Sequence, residues 1–338
     1  MVRYRNVRRL VVGLTAALAA GCGAGGGSAH PGRRPSVAAV IKGLDNPFFV
    51  TMRNGLEAGA RQHGVQITVQ AAAGLQDTAG QASALESLAS QQAACYVVNP
   101  INQTNLVQPL AQIPGGTPIV NIDSPVSRQA ARAIGVGITT YIGTNNVAAG
   151  RLAAVAMARV VPRGSPVAVI TGIPGDASSA ARTQGFMQGA AGRLHVVQMV
   201  AADFDRERAS LATAALLHTR PAIRGFFDVN DEMALGSAAA VDADHRRGKV
   251  AVIGVDGDPA ALAAVKHGAM SATVAQYPYT IGQFAVEACL AAIRHRAVPS
   301  KIDAPIQIVT PANVTRAQRN APQPGEHFKD PFVRILNG

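Results

Sequence analysis

Carboxylates and amides stand at the ends of five short apolar runs. Ser36–Leu44 leads into Asp45 and Asn46, Tyr96-Val97-Val98 ends at Asn99, and Ile119–Ile122 ends at Asp123. Further on, Phe226-Phe227-Asp228-Val229 ends at Asn230 and Val252–Val255 ends at Asp256. A carboxylate accepts two hydroxyl hydrogens, and an amide both donates and accepts. Together these groups suit a neutral polyhydroxy molecule. Hydrogen bonds to charged groups contribute about 1.5–3 kcal/mol each, so a handful suffices for tight binding. Phe48 and Phe49, directly after Asn46-Pro47, offer an apolar face to the C–H side of such a ligand. Each position also has a structural reading. Asp and Asn are common helix N-caps and turn residues, and both phenylalanines fit a core.

These residues have to be carried by something regular. From residue 36 onward, short Val- and Ile-rich runs alternate with Ala-rich helical stretches, the pattern of repeated βα units and a parallel sheet. Strands are expected at Ser36–Lys42, Val65–Gln70, Ala94–Val98, Pro118–Ile122, Tyr141–Gly143, Val167–Thr171, His195–Val200, Gly225–Asp228, Val250–Val255 and Ser271–Ala275. About five units precede residue 140 and about four follow it, which fits two doubly wound α/β lobes better than one oversized sheet. The polar residues then fall at the carboxyl ends of parallel strands, the rim where open α/β sheets bind ligands. Asn46, Asn99 and Asp123 come from the first half and Asn230 and Asp256 from the second, so a shared ligand lies in a cleft between lobes.

The composition agrees. The chain has 338 residues, 48% hydrophobic but only 4% aromatic and without tryptophan, so aliphatic side chains build the core. The formal charge of +11 falls to +7 without the four arginines of residues 1–21 (Arg3, Arg5, Arg8, Arg9). No basic stretch is interleaved with aromatics, so nucleic acid is not expected as a partner. Signatures of catalysis are missing too: there is no G-x-S-x-G and no G-x-x-x-x-G-K-[ST]. Asp228-Val-Asn-Asp-Glu232 lacks the central glycine and distal glutamate of a calcium loop. No enzyme activity, cofactor or metal is expected.

Arg3–Arg9, the apolar run Leu10–Ala20 and the small residues Ala19-Ala20-Gly21 have the layout of a secretory signal over 1–21. Cys22 follows directly, which resembles a bacterial lipobox, although Leu18 lies four places before the cysteine rather than three. Lipidation at Cys22 is expected, with an ordinary signal peptide as the alternative. Residues 22–35 read as a flexible tether. Cys95 and Cys289 read as small buried core residues; nothing in their spacing suggests a bond between them. Residues 315–338 read as a polar surface tail without a role.

Six segments carry a family resemblance: Gly43-Leu-Asp-Asn-Pro-Phe-Phe49, Val98-Asn-Pro100, Asn121-Ile-Asp123, Ser179-Ala-Ala-Arg182 with Gly185-Phe186, Ala202-Asp-Phe-Asp-Arg206 and Asn230-Asp-Glu-Met-Ala-Leu-Gly236. Gly254-Val-Asp-Gly257 and Ala275-Gln276 complete the order. Over residues 36 to 314 the chain resembles the ribose-binding branch of the type I periplasmic solute-binding proteins. The resemblance implies two lobes joined by three crossings and closing on a sugar: 36–143 plus 277–305, and 144–276 plus 306–314. It implies that Asn46, Asp123, Arg182, Asn230, Asp256 and Gln276 hydrogen-bond the ligand and that Phe48, Phe49 and Phe204 sandwich its ring. An arginine usually follows the aspartate of the I-D pair; here Ser124 stands there, leaving room for a hexose, an inositol or another polyol. Lys42, near the cleft mouth, and Asn99 are further candidates. The implied role is the sugar-binding lipoprotein of an ABC-type importer, an exported monomer at the outer face of the membrane or in the periplasm, whose partner is the permease. A sensor presenting the sugar to a membrane receptor is the alternative.

Overall fold

The computed structural model describes residues 34–337. The signal segment 1–21, Cys22 and most of the tether lie outside the described residues. Two six-stranded sheets form the frame. The first contains β1 (Ser36–Ile41), β2 (Gln66–Ala71), β3 (Cys95–Val98), β4 (Ile119–Ile122), β5 (Thr140–Thr144) and β11 (Lys301–Ala304), in the order β11-β5-β4-β3-β1-β2. The second contains β6 (Pro166–Thr171), β7 (His195–Ala201), β8 (Gly225–Asp228), β9 (Ala251–Asp256), β10 (Ala272–Gln276) and β12 (Ile306–Val309), in the order β12-β10-β9-β8-β6-β7. The second order repeats the first. All pairings are parallel except β10 with β12. Central strands such as β3, β4 and β9 are buried at every residue, which is why they read as largely apolar runs.

Helices α1 (Pro47–His63), α2 (Thr78–Ala89), α3 (Val107–Leu110) and α4 (Arg128–Ala133) follow the first four strands. Helices α5 (Asn146–Val160), α6 (Ala177–Ala190), α7 (Arg206–Thr219), α8 (Asp231–Ala243) and α9 (Pro259–Lys266) surround the second sheet, and α10 (Pro278–Ile293) returns to pack on α1 and the first. The chain passes between lobes after β5, after β10 and between β11 and β12, around Pro305.

Two expectations need correction. Cys95 of β3 and Cys289 of α10 form a disulfide with their Cα atoms 5.7 Å apart. Both are fully buried, as expected of core residues, but the fold brings together positions 194 residues apart, which spacing does not reveal. The second is the tail. Residues 314–337 fold into α11 (Val314–Asn320), packed on α9, and α12 (Phe332–Asn337), packed on α10. Phe332 is fully buried in the first lobe's core, and the rings of Phe328 and Phe332 lie 5.6 and 5.7 Å from that of Phe284. Between α11 and α12, Gln323 accepts a hydrogen bond from Thr280 and donates one to Gln283, both on α10, while Glu326 accepts from Gln307 of β12. The segment is therefore a fourth strap touching both lobes. Phe332→Ala is expected to cost about 3–5 kcal/mol, the usual range for a buried phenylalanine, measurable as a lowered denaturant midpoint by circular dichroism.

Candidate functional site

Both sheets point their carboxyl ends at one cleft, which encloses about 430 Å³ with the open solvent at its mouth included. The first lobe supplies Lys42, Asn46, Phe48, Phe49, Leu75 and Asp123. The second supplies Asp176, Ser178, Arg182, Phe204, Asn230 and Asp256. Each comes from the last residue of a strand, from the loop that follows it or from the first turns of the next helix.

Capping and lining coexist in the two asparagines. Asn46 caps α1, its Oδ1 accepting the Phe48 N–H at 2.9 Å; Asn230 caps α8, its Oδ1 accepting the Met233 N–H at 3.0 Å. The cap occupies the oxygen and fixes the amide plane, which leaves the NH₂ as donor. Phe48 and Phe49 meet edge to face, centroids 5.2 Å apart, and join the first lobe's core while also lining the cleft. Phe204, at φ +63° in the turn after β7, lies over the backbone of Gly172, where a Cβ would strike the ring.

Arg182 is 5% exposed, not the solvated helix residue that its position alone suggests. Its Nε donates to Asn146 Oδ1 at 2.8 Å, and Nη1 donates to the Val229 carbonyl at 2.6 Å and to Asp256 Oδ1 at 3.3 Å. Gln276 does not line the cleft. It sits behind Asp256 and donates Nε2 to the same Oδ1 at 2.6 Å. Asp256 is thus held from two sides. Burial pushes its carboxyl up to about 7, Arg182 opposing this and Asp231 adding to it.

Asp123 is less well provided for. It is buried, at φ +57°, and its side chain accepts only a 3.4 Å hydrogen bond from Ser124. Burial raises its pKa against the pull of Lys42 and Arg182. Lys42 is itself 8% exposed, with its Nζ 5.5 Å from the centre of the Phe49 ring. Ser124 is buried beside Asp123 without lining the cleft, and Asn99 lies deeper still, its Nδ2 against the sulfur of Met52.

Leu75, Asp176 and Ser178 were not singled out from the sequence. Asp176 caps α6 at 2.7 Å and occupies in the second lobe the place that Asn46 has in the first, between first strand and first helix. The signal was present, but the turn Gly172-Ile-Pro-Gly175 stands between it and the end of β6. Among the described residues, no group of three or more His, Cys, Asp and Glu side chains is placed to hold a metal ion, and no helix is long and apolar enough to cross a membrane.

A model of the periplasmic binding protein domain matches residues 37–297. The chain is 32% identical over 271 residues to the ribose import binding protein of Bacillus subtilis (strain 168), covering 80% of this chain and 85% of that one. It is 34% identical over 249 residues to the D-allose-binding periplasmic protein of Escherichia coli (strain K12), covering 72% and 80%. A periplasmic solute-binding protein of an ABC transporter from Actinobacillus succinogenes 130z, solved with bound D-allose, superposes with a TM-score of 0.78 at 29% identity, covering 83% of this chain and 99% of that one. Matched over most of its length in sequence and in fold, the chain belongs to the type I periplasmic binding proteins, on their ribose-binding-like branch.

Proposed function

We propose that this protein binds a monosaccharide or polyol between its lobes and delivers it to the permease of an ABC-type importer. One observation carries the reading: Asp123 and Asp256, from opposite sheets, line the same cleft together with Phe48, Phe49 and Phe204. Hydroxyls are gripped by the carboxylates, by the asparagine amides and by Arg182, while the phenylalanines cover the C–H faces of the ring. Because the grip is divided between lobes, only the closed form makes every contact, so the ligand shifts the population toward closure. The task is binding rather than catalysis, as it is for the relatives. Ser124 stands where the ribose binders have an arginine and Lys42 adds a donor in the cleft, so a hexose or inositol is as much a candidate ligand as a pentose. Extracytoplasmic placement follows from the family; anchoring through an acylated Cys22 and action as a monomer complete the proposal.

The test is a panel of pentoses, hexoses and polyols titrated into the mature protein. Calorimetry suits it, since there is no tryptophan to report binding by fluorescence. The proposal expects at least one member to bind with micromolar affinity or better and to raise the melting temperature by linkage. A panel with no binder would overturn it.

The titrations point in opposite directions for binding and for stability. A sugar needs the ionised carboxylate of Asp256, so affinity is expected to fall below pH 7, by up to about tenfold per unit. In the unliganded protein Asp256, Asp228 and Glu287 are pushed up to about 7, 8 and 8 by burial. Between the ordinary carboxylate range and those values the folded chain holds protons that the unfolded chain has released. Stability therefore declines as pH rises through that window. Melting of the free protein is expected to be higher at pH 5.5 than at pH 8, while calorimetry shows weaker sugar binding at pH 5.5.

A further inference from the structure

Asp231 is fully buried at the first turn of α8, outside the cleft, yet it is bonded to the machinery behind Asp256. One oxygen, Oδ2, accepts the N–H of Gly257 at 2.7 Å and of Asp258 at 2.9 Å; the other, Oδ1, accepts the Thr273 hydroxyl at 2.7 Å. A single carboxylate thus ties α8 to the turn after β9 and to β10. That turn is sharply constrained. Asp256 has φ +145° and Gly257 φ +79°, both in the region that favours glycine, and a Cβ on Gly257 would lie 2.5 Å from that of Ala275. Gly254 leaves the space in which the Asp231 carboxylate sits; a Cβ there would collide with Oδ1.

From this geometry we infer that Asp231 is a positioning residue for sugar binding, holding the Gly257 turn so that Asp256 faces the cleft, and that its charge sets the pH range over which Asp256 works. The inference rests on the reading that Asp256 grips the sugar. A backbone turn with two positive φ values in succession is costly and persists only where its surroundings hold it. The two N–H groups bonded to Asp231 are those that this turn leaves pointing inward. Left without an acceptor in the interior they would favour another conformation, and Asp256 would move with it.

The charges around Asp256 come from several elements: Arg182 on α6, Asp231 on α8 and Asp258 on the same turn, with Lys42, Asp123 and Asp176 lining the same cleft. Glu232 and Arg206 act on Asp258 from the outer side. Of these, Asp231 is the negative group that raises the pKa of Asp256.

Three variants test the inference with the best-binding sugar of the panel, by calorimetry from pH 5 to 8.5. Asp231→Ala removes acceptor and charge and is expected to weaken binding at pH 8 by at least about 30-fold. Asp231→Asn keeps an oxygen for the two backbone N–H groups, and its amide donates to Thr273 Oγ1. It is expected to recover most of that loss, to within about fivefold of the parent, and to move the acid limb of the affinity profile at least about half a unit lower. Where Asp231→Ala does not fold, the limb of Asp231→Asn decides alone, since a merely structural role does not move it. Parent-like affinity in Asp231→Ala, or an unmoved limb in Asp231→Asn, overturns the inference. Asp256→Ala separates the two layers: if it binds like the parent, the cleft reading itself fails, whereas its loss of binding beside a neutral Asp231→Ala removes only the positioning role.

Discussion

An Asp123→Asn protein is expected to melt at a higher temperature than the parent and to bind its sugar about 100-fold more weakly. Both effects have one source. The Asp123 carboxylate is 6% exposed and accepts only the long Ser124 contact, with the Lys42 charge nearby as its main compensation. An ionised group so placed carries a desolvation cost of about 1–3 kcal/mol, which the neutral amide avoids. Asparagine also tolerates φ +57°, so the backbone does not object to the exchange. At roughly 2–4 °C per kcal/mol for a chain of this size, the gain is visible by scanning calorimetry. The same carboxylate is an acceptor for two sugar hydroxyls. The amide keeps one acceptor and replaces the other with a donor, and losing charge-assisted bonds worth about 1.5–3 kcal/mol each gives the stated drop in affinity. A stable variant that does not bind is the signature of a residue kept for its ligand at the expense of the fold.

Breaking the Cys95–Cys289 bond is expected to cost about 2–5 kcal/mol. The loop that it closes contains residues 144–276, nearly the whole second lobe, so the bond holds β3 to α10 even while that lobe is unfolded. Without it, unfolding of the second lobe frees α10 from the first over a very long loop, and the entropy of the unfolded chain rises accordingly. Guanidinium unfolding of the Cys95→Ala, Cys289→Ala protein, followed by circular dichroism, measures the difference; reductant should reproduce it in the parent. A buried disulfide also fits the oxidising space into which export delivers the chain.

Much of this was legible in the sequence because of one physical fact. A parallel strand buried on both faces reads as an apolar run, and the residue that breaks the run marks its carboxyl end. Asp123, Asn230 and Asp256 are found in that way, and the frame of alternating strands and helices with them. Where the rule weakens, so does the reading. The strand at Lys301–Ala304 alternates exposed with buried residues over four positions, too short to stand out. Asp176 is separated from its strand by a turn. Phe328 and Phe332 sit among prolines and charges, and nothing local says that they reach the core of the first lobe. Arg182 and the two cysteines depend on partners 74 and 194 residues away, which only the folded chain brings near. The family resemblance singled out Arg182 and Phe204, which spacing alone did not, and it put Gln276 on the ligand; here Gln276 braces Asp256.

A crystal structure of the mature protein with its best-binding sugar goes straight to the central claim. The ring is expected between Phe204 on one side and Phe48 and Phe49 on the other, with hydroxyls within about 3.2 Å of both Asp123 and Asp256. A sugar resting on one lobe alone, or bound anywhere else with those two carboxylates untouched, contradicts the account.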